Sequence, residues 1–286
     1  MKRPGLAGQP QSRPDSSLKA RVMTAVIGGP LVLAALWTGG LAWLVVVALV
    51  GLLGAPELGR LYGRDRWHPP LDVLFLAVLW PIGFAYAASE GLTGAGLPGV
   101  VAVLVVPLVY GLLRELFRPE PHLLSAAAAA AVTVLYWGGL LAHLILLRAL
   151  PQGFEYGLLL VAGTWGADMA AYFAGRRWGR RRLAPRLSPG KTWEGTAAGL
   201  VAGLASAWGV GRAAGLPALA ALAAGAAVVV AAPLGDLIES GFKREAGVKD
   251  SGTLLPGHGG LLDRFDSLIL AGTVLFYWVV GWQALF

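Results

Sequence analysis

Apolar residues in this chain run on without alternating with polar ones. The stretches Val22 to Ala55 and Gly91 to Leu113 contain no charged residue. Uninterrupted apolar runs of about 18 or more residues are long enough to cross a bilayer as helices. Such runs fall near residues 22–39, 41–58, 71–88, 97–114, 123–148, 157–175, 195–213, 216–238 and 267–285. The pattern predicts an all-α, polytopic integral membrane protein with about nine transmembrane helices, since only helices and closed barrels satisfy their backbone in lipid. Gly39-Gly40 marks a short break between the first two runs. The alanine run Ala126–Ala131 reads as a small-residue packing face.

Composition agrees. Of 286 residues, 56% are hydrophobic and 14% charged, against about a quarter charged in a soluble domain. Residues 1–21 are polar and basic, and a spanning-length run follows rather than the shorter core of a secretion signal. They are expected to form a disordered cytoplasmic tail. Residues 22–148 then form N-terminal transmembrane helices, and residues 149–286 form a C-terminal transmembrane region, the candidate for any catalytic role because it carries the long charged loops 176–194 and 239–266. With the N-terminus in the cytoplasm and sides alternating, 23 basic residues are distributed so that only Arg148 and Arg212 fall outside. That bias is the positive-inside rule. The net charge of +7 is therefore a matter of topology and calls for no nucleic-acid partner. With no cysteine in the chain, a disulfide, a thiolate nucleophile and a Cys-ligated zinc are excluded. His143, alone in an apolar run, reads as a packed or hydrogen-bonded histidine. Glu57 and Asp72 flank a cytoplasmic loop, placed to pair with Arg60 or Arg64.

Two cytoplasmic loops, 176–194 and 239–266, concentrate the charge together with Gly and Ser. Asp236, Glu239, Ser240 and Lys243 fall on one helix face, as do Asp263 and Asp266. Acids at the edge of a membrane segment are costly unless paired or metal-bound. Three carboxylates at facing helix ends suit a hard divalent cation such as Mg²⁺, which takes oxygen ligands and substrate phosphates. The Gly-rich turn at Gly259-Gly260 allows backbone N–H groups to approach phosphate. Lys243, Arg244, Lys249 and Arg264 could neutralise phosphoryl charge. Equally, Asp263 and Asp266 could favour a helix N-terminus, and Asp236 and Glu239 could form salt bridges with the nearby cations. In the other loop, Ser188-Pro189-Gly190-Lys191-Thr192 is a hydroxyl- and lysine-bearing loop ahead of a helix, an arrangement suited to phosphate. The arginines of 176–186 also fit a loop beside anionic lipid. Asp168 lies inside an apolar run, and an intramembrane acid is a functional candidate.

The spacing Ser240-Gly-Phe-Lys243-Arg244, Lys249-Asp250, His258-Gly259-Gly260, Asp263-Arg264-Phe-Asp266 resembles the signature of the phosphatidate cytidylyltransferases, the CDP-diacylglycerol synthases. The block from Asp168 through Tyr172 and Gly175 to Ser188–Gly195 is similar to a second conserved region of that family. It departs once, with Gly190 where the family commonly has lysine.

The resemblance implies transfer of CMP from CTP to phosphatidate in phospholipid biosynthesis, with loss of pyrophosphate. It implies Mg²⁺ on Asp236 and Asp263, with Asp266 completing or supporting the site, and a second, monovalent cation, K⁺. Lys243, Lys249 and Arg264 join the catalytic set. Ser188, Lys191, Thr192, Ser240, Arg244, His258, Gly259, Gly260 and Asp168 are the expected substrate contacts. The partners are CTP, phosphatidate and the bilayer, with a homodimer left open, in an inner membrane with the active site facing the cytoplasm. The rival enzyme is a CTP-dependent polyprenol or dolichol kinase. The rival non-enzyme is a transporter, whose sites should lie near the bilayer midplane.

Overall fold

The computed structural model describes residues 26, 28–62, 67–94, 96–252, 254 and 259–285. The basic tail 1–21, the start of the first apolar run, Arg64 and His258 lie outside the described residues. Within them each apolar run holds a helix: α1 (Gly28–Thr38), α2 (Gly40–Leu61), α3 (Leu71–Ser89), α4 (Leu97–Leu116), α5 (Leu123–Ala149), α6 (Gly153–Trp178), α7 (Trp193–Ala213), α8 (Ala218–Glu245) and α9 (Leu262–Leu285). Seven of these, α2 to α6, α8 and α9, are long and apolar enough to cross a membrane. α1 is shorter. α7 has 21 residues, but glycine and polar residues dilute its apolar character.

Gly39 and Gly40 have φ of 67° and 49°, so the α1–α2 break uses a backbone conformation that glycine adopts without strain. Arg148 locks this break from α5. Its guanidinium donates to the carbonyls of Leu36 at 2.6 Å and Trp37 at 3.0 Å, the last turn of α1. A basic residue absent from the cytoplasmic tally thus works as a helix C-cap.

α5 contains a π-helical turn at Thr133–Gly139. The turn seats Trp137 against α2, where its indole N–H donates to the Gly51 carbonyl at 2.9 Å and its ring lies over Gly54. His143 follows, hydrogen-bonded to Gly139 O at 2.7 Å and to the Tyr277 hydroxyl at 3.1 Å, as expected of a packed histidine. One apolar core runs through both stretches of the chain: Leu36, Leu58, Trp137 and Leu141 share it with Leu160, Val228, Leu262 and Ile269.

The closest helix pairing, α6 on α7, is written in small residues. The buried face of α7 is Gly195, Gly199, Gly203, Ala207 and Gly211, one every fourth residue and hence one stripe. A Cβ at Gly199 would press on the Ala167 carbonyl, and one at Gly203 on the Gly163 carbonyl. Between helices in lipid, such stripes allow the close van der Waals contact that drives association. α8 and α9 cross at a similar point. A Cβ at Gly235 would strike the backbone of Asp266. Gly235 therefore sets Asp236 beside the first turn of α9.

The loop 176–194 is more ordered than a flexible phosphate loop. It folds into an antiparallel hairpin of β1 (Arg182–Ala184) and β2 (Ser188–Thr192). Thr192 ends it and caps α7, its hydroxyl accepting from Gly195 N–H at 3.2 Å. Glu194 closes the base by accepting from the N–H groups of Arg180 and Arg181. The Arg180 bond chiefly holds the Glu194 carboxyl below the usual carboxylate range.

Candidate active site

The hairpin, α6, α7 and α8 enclose a groove of about 580 Å³. Its deep walls are apolar or small: Ala167, Gly195, Gly199, Val229 and Pro233. Its mouth is polar, with Arg176, Arg182, Ser188 and Lys191. Two acids face it, Asp168 from α6 and Asp236 from α8. Lys191 reaches across from β2 to pair with Asp236 Oδ2 at 2.6 Å. Its ammonium also lies 3.5 Å from the Pro233 carbonyl. The other Asp236 oxygen, Oδ1, accepts from the Ser240 hydroxyl at 3.2 Å, one helical turn on.

Beside the groove, Lys243 of α8 bridges two more acids. It pairs with Asp263 Oδ1 at 2.5 Å and with Glu239 Oε2. Glu239 is fully buried, and its Oε1 has no hydrogen-bond partner. Asp266, one turn beyond Asp263, is 8% exposed and accepts from Ser267 N–H at 2.6 Å. The charges of Asp168, Asp236 and Lys243 all reach it. The sequence-predicted carboxylates therefore do gather in one neighbourhood. As the side chains stand, however, no three His, Asp or Glu groups among the described residues are arranged to hold a metal ion. Asp236 and Asp263 face the ammonium groups of Lys191 and Lys243 instead.

The loop that joins α8 to α9 is shaped by glycine and by Asp263. α8 ends in a Schellman turn, with Val248 N–H donating to Lys243 O at 2.9 Å and Gly247 N–H to Arg244 O at 3.1 Å. Gly247 sits at φ 74°, as that turn requires. At the far end Gly259 has φ 83°. Asp263 Oδ2 then collects three donors: Gly260 N–H at 2.9 Å, Ser251 N–H at 3.1 Å and the Ser251 hydroxyl at 3.0 Å.

Other expected contacts fall differently. Arg244 is engaged structurally, donating to Leu187 O at 3.0 Å and Val248 O at 2.9 Å, which ties the hairpin to the end of α8. The Thr192 hydroxyl serves as the α7 cap. Lys249 and Arg264 are exposed at the same end of the molecule. The charge of Arg264 reaches Asp168.

Three participants were missed. Ser251 bridges the loop to Asp263, and the buried, unpartnered Tyr136 hydroxyl lies within coulombic range of Asp266, Glu239 and Asp236. Glu57 corrects the expectation for Arg60, Arg64 lying outside the described residues. It does not pair with Arg60; it is buried, and its Oε2 accepts from Leu262 N–H at 3.0 Å and lies 3.3 Å from the Ser251 hydroxyl. Asp72 instead binds the Tyr110 hydroxyl at 2.7 Å and Arg114 at 3.3 Å. The signal for Glu57 was present: an acid at the end of an apolar run is a functional candidate.

Comparison with known proteins covers the whole arrangement. The profile described as the cytidylyltransferase family matches residues 19–281. The phosphatidate cytidylyltransferase of Pseudomonas aeruginosa is 37% identical over 290 residues, covering 93% of this chain and 99% of the relative. That of Bacillus subtilis is 32% identical, covering 91% and 97%. That of Haemophilus influenzae is 48% identical over 119 residues, a match spanning 38% of this chain and 40% of the relative.

Proposed function

The chain belongs to the cytidylyltransferase family, and from that premise we propose that it transfers CMP from CTP to phosphatidate, giving CDP-diacylglycerol and pyrophosphate. The observation that carries the reading is the groove. Its apolar floor between small-residue helices suits a lipid. Its mouth offers Lys191, Arg176 and Arg182 to phosphates.

The phosphate of phosphatidate attacks the α-phosphorus of CTP. A phosphate monoester dianion is already nucleophilic, so the site needs no strong base. Its task is to align two polyanions and neutralise the charge that shifts between them. Lys191 and Lys243 stand at the carboxylates where the phosphates would converge. Lys249 and Arg264 are exposed to the same side. The acyl chains would stay in the bilayer while the head group meets soluble CTP, which supports a site at the cytoplasmic face of the inner membrane.

Carboxylate oxygens suit Mg²⁺, so Asp236, Asp263 and Asp266 would hold it, and the ion would supply further charge neutralisation. A monovalent cation would draw on the same cluster, where Glu239 Oε1 lacks a partner.

The test uses purified full-length protein in detergent, phosphatidate, Mg²⁺ and CTP labelled at the α- or the γ-phosphate. The α-label should enter lipid and the γ-label should leave as pyrophosphate. Lipid carrying the γ-label would make the protein a lipid kinase. Label in neither would end the enzymatic reading.

A further inference from the structure

Glu57 lies far from the signature segments in sequence, yet it touches the loop that positions Asp263. It is 3% exposed and sits near the end of α2. Its Oε2 accepts from the backbone N–H of Leu262, the first residue of α9, at 3.0 Å. That N–H is one of the donors a helix N-terminus leaves without an internal partner. Glu57 thus caps α9 from another helix. The same oxygen lies 3.3 Å from the Ser251 hydroxyl, which is also 3.0 Å from Asp263 Oδ2. A hydroxyl has one proton. Ser251 can donate to only one of the two carboxylates at a time, so their positions are coupled through it.

The cradle around Glu57 is cut to fit. A Cβ at Gly252 or at Gly260 would press on the Glu57 carboxylate. Both glycines belong to the loop between α8 and α9. The other oxygen, Oε1, is buried without a hydrogen-bond partner. An apolar side chain would fill this space without the cost of burying a carboxylate. Packing alone therefore does not account for an acid here.

We infer that Glu57 is a positioning residue for the transfer reaction: through Ser251 and the Leu262 N–H it fixes the loop and the carboxylate of Asp263 in the orientation the reaction uses. The N-terminal helices contribute to the site in this way without touching substrate. The inference rests on the reading of Asp263 as part of the transfer site.

The experiment compares purified full-length wild type with Glu57→Ala, Glu57→Gln, Ser251→Ala, the Glu57→Ala/Ser251→Ala double variant and Asp263→Asn. It measures kcat, the CTP KM and thermal unfolding for each. Loss of a supporting shell should lower the Glu57→Ala kcat by about ten- to a hundredfold. The CTP KM should stay within about twofold, because orientation rather than binding is lost. Glu57→Gln keeps an acceptor for Leu262 N–H and should recover most of the rate. The double variant should be no slower than the slower single variant, since both changes cut one chain of contacts.

A Glu57→Ala enzyme with wild-type kcat overturns the inference, as do losses at Glu57 and Ser251 that multiply independently. Should Glu57→Ala fail to fold, the same cycle run with Glu57→Met, which fills the space but offers no acceptor to the Leu262 N–H, decides by the same criterion. Wild type that forms no CDP-lipid overturns the functional reading, and this inference with it. Asp263→Asn with a normal rate overturns the site assignment, again taking this inference with it. Wild-type activity with an impaired Asp263→Asn and an unimpaired Glu57→Ala overturns the Glu57 inference alone.

Discussion

Lys191 of the hairpin and Asp236 of α8 hold each other at 2.6 Å at the mouth of the groove, both only partly shielded from solvent. An ammonium thus occupies a carboxylate that the transfer reaction would present to a cation and a triphosphate. Their binding would free Lys191 to turn to the phosphates as a mobile point charge.

Lys191→Ala should therefore raise the CTP requirement. A charged hydrogen bond is worth roughly 1.5–3 kcal/mol, which corresponds to about a ten- to hundredfold rise in the CTP KM at saturating phosphatidate. An unchanged KM and kcat would reduce the hairpin to a connector. A change confined to phosphatidate would move it to the lipid side of the groove.

Asp236→Asn and Asp263→Asn should each cost roughly a hundredfold or more in kcat, since each removes charge from the centre of the electrostatic site. Both proteins should elute as folded monodisperse particles in detergent. Near-normal turnover of either at limiting Mg²⁺ would remove that residue from the metal assignment.

Gly235→Ala should damage both stability and activity. Its Cβ would strike the Asp266 backbone, and overpacking of this kind costs about 1–3 kcal/mol. Gly241→Ala, where a Cβ meets nothing within 4 Å, is the matched control. Equal melting temperatures for the two variants would mean that the α8–α9 crossing is not set by Gly235.

Gly190→Lys supplies the cation that the resemblance in the Ser188–Thr192 segment leads one to expect at this point. A Cβ there meets nothing within 4 Å, and the position lines the groove. An added exposed charge is worth on the order of 0.2–1 kcal/mol, so the CTP KM should fall by roughly 1.4- to fivefold. A higher KM would argue that the triphosphate does not pass this strand.

Single cysteines at Arg186 and Asp250, both exposed, should be labelled from the cytoplasmic side alone in a chain that has no other cysteine. Labelling on opposite sides would break the proposed topology.

Most of the fold was legible because membrane helices are long apolar runs, and the α1–α2 break was legible because it fell on Gly39-Gly40. The hairpin was not. Its strands have three and five residues, and β2 contains Pro189 and Gly190, which argue against a strand. In the site, Asp236 with Ser240 and Lys243 with Glu239 could be anticipated from helical spacing. The pairing of Lys191 with Asp236 depends on how the hairpin folds back over α8. Contact between Glu57 and Ser251 joins residues that no periodicity connects. What was readable was the residue at the end of each run; its partner was decided by packing.

In the proposed topology the groove would have one wall in hydrocarbon and one in water. Tyr172 lines it and is itself largely exposed, next to Phe173 and Met169 on the outer face of α6. A lipid entering past these residues arrives by lateral diffusion, whereas CTP arrives from bulk solution. The two substrates are then counted in different units: CTP by molarity, phosphatidate by its mole fraction in the surrounding film. Adding neutral detergent at fixed total phosphatidate should slow the reaction by surface dilution and leave the CTP dependence unmoved.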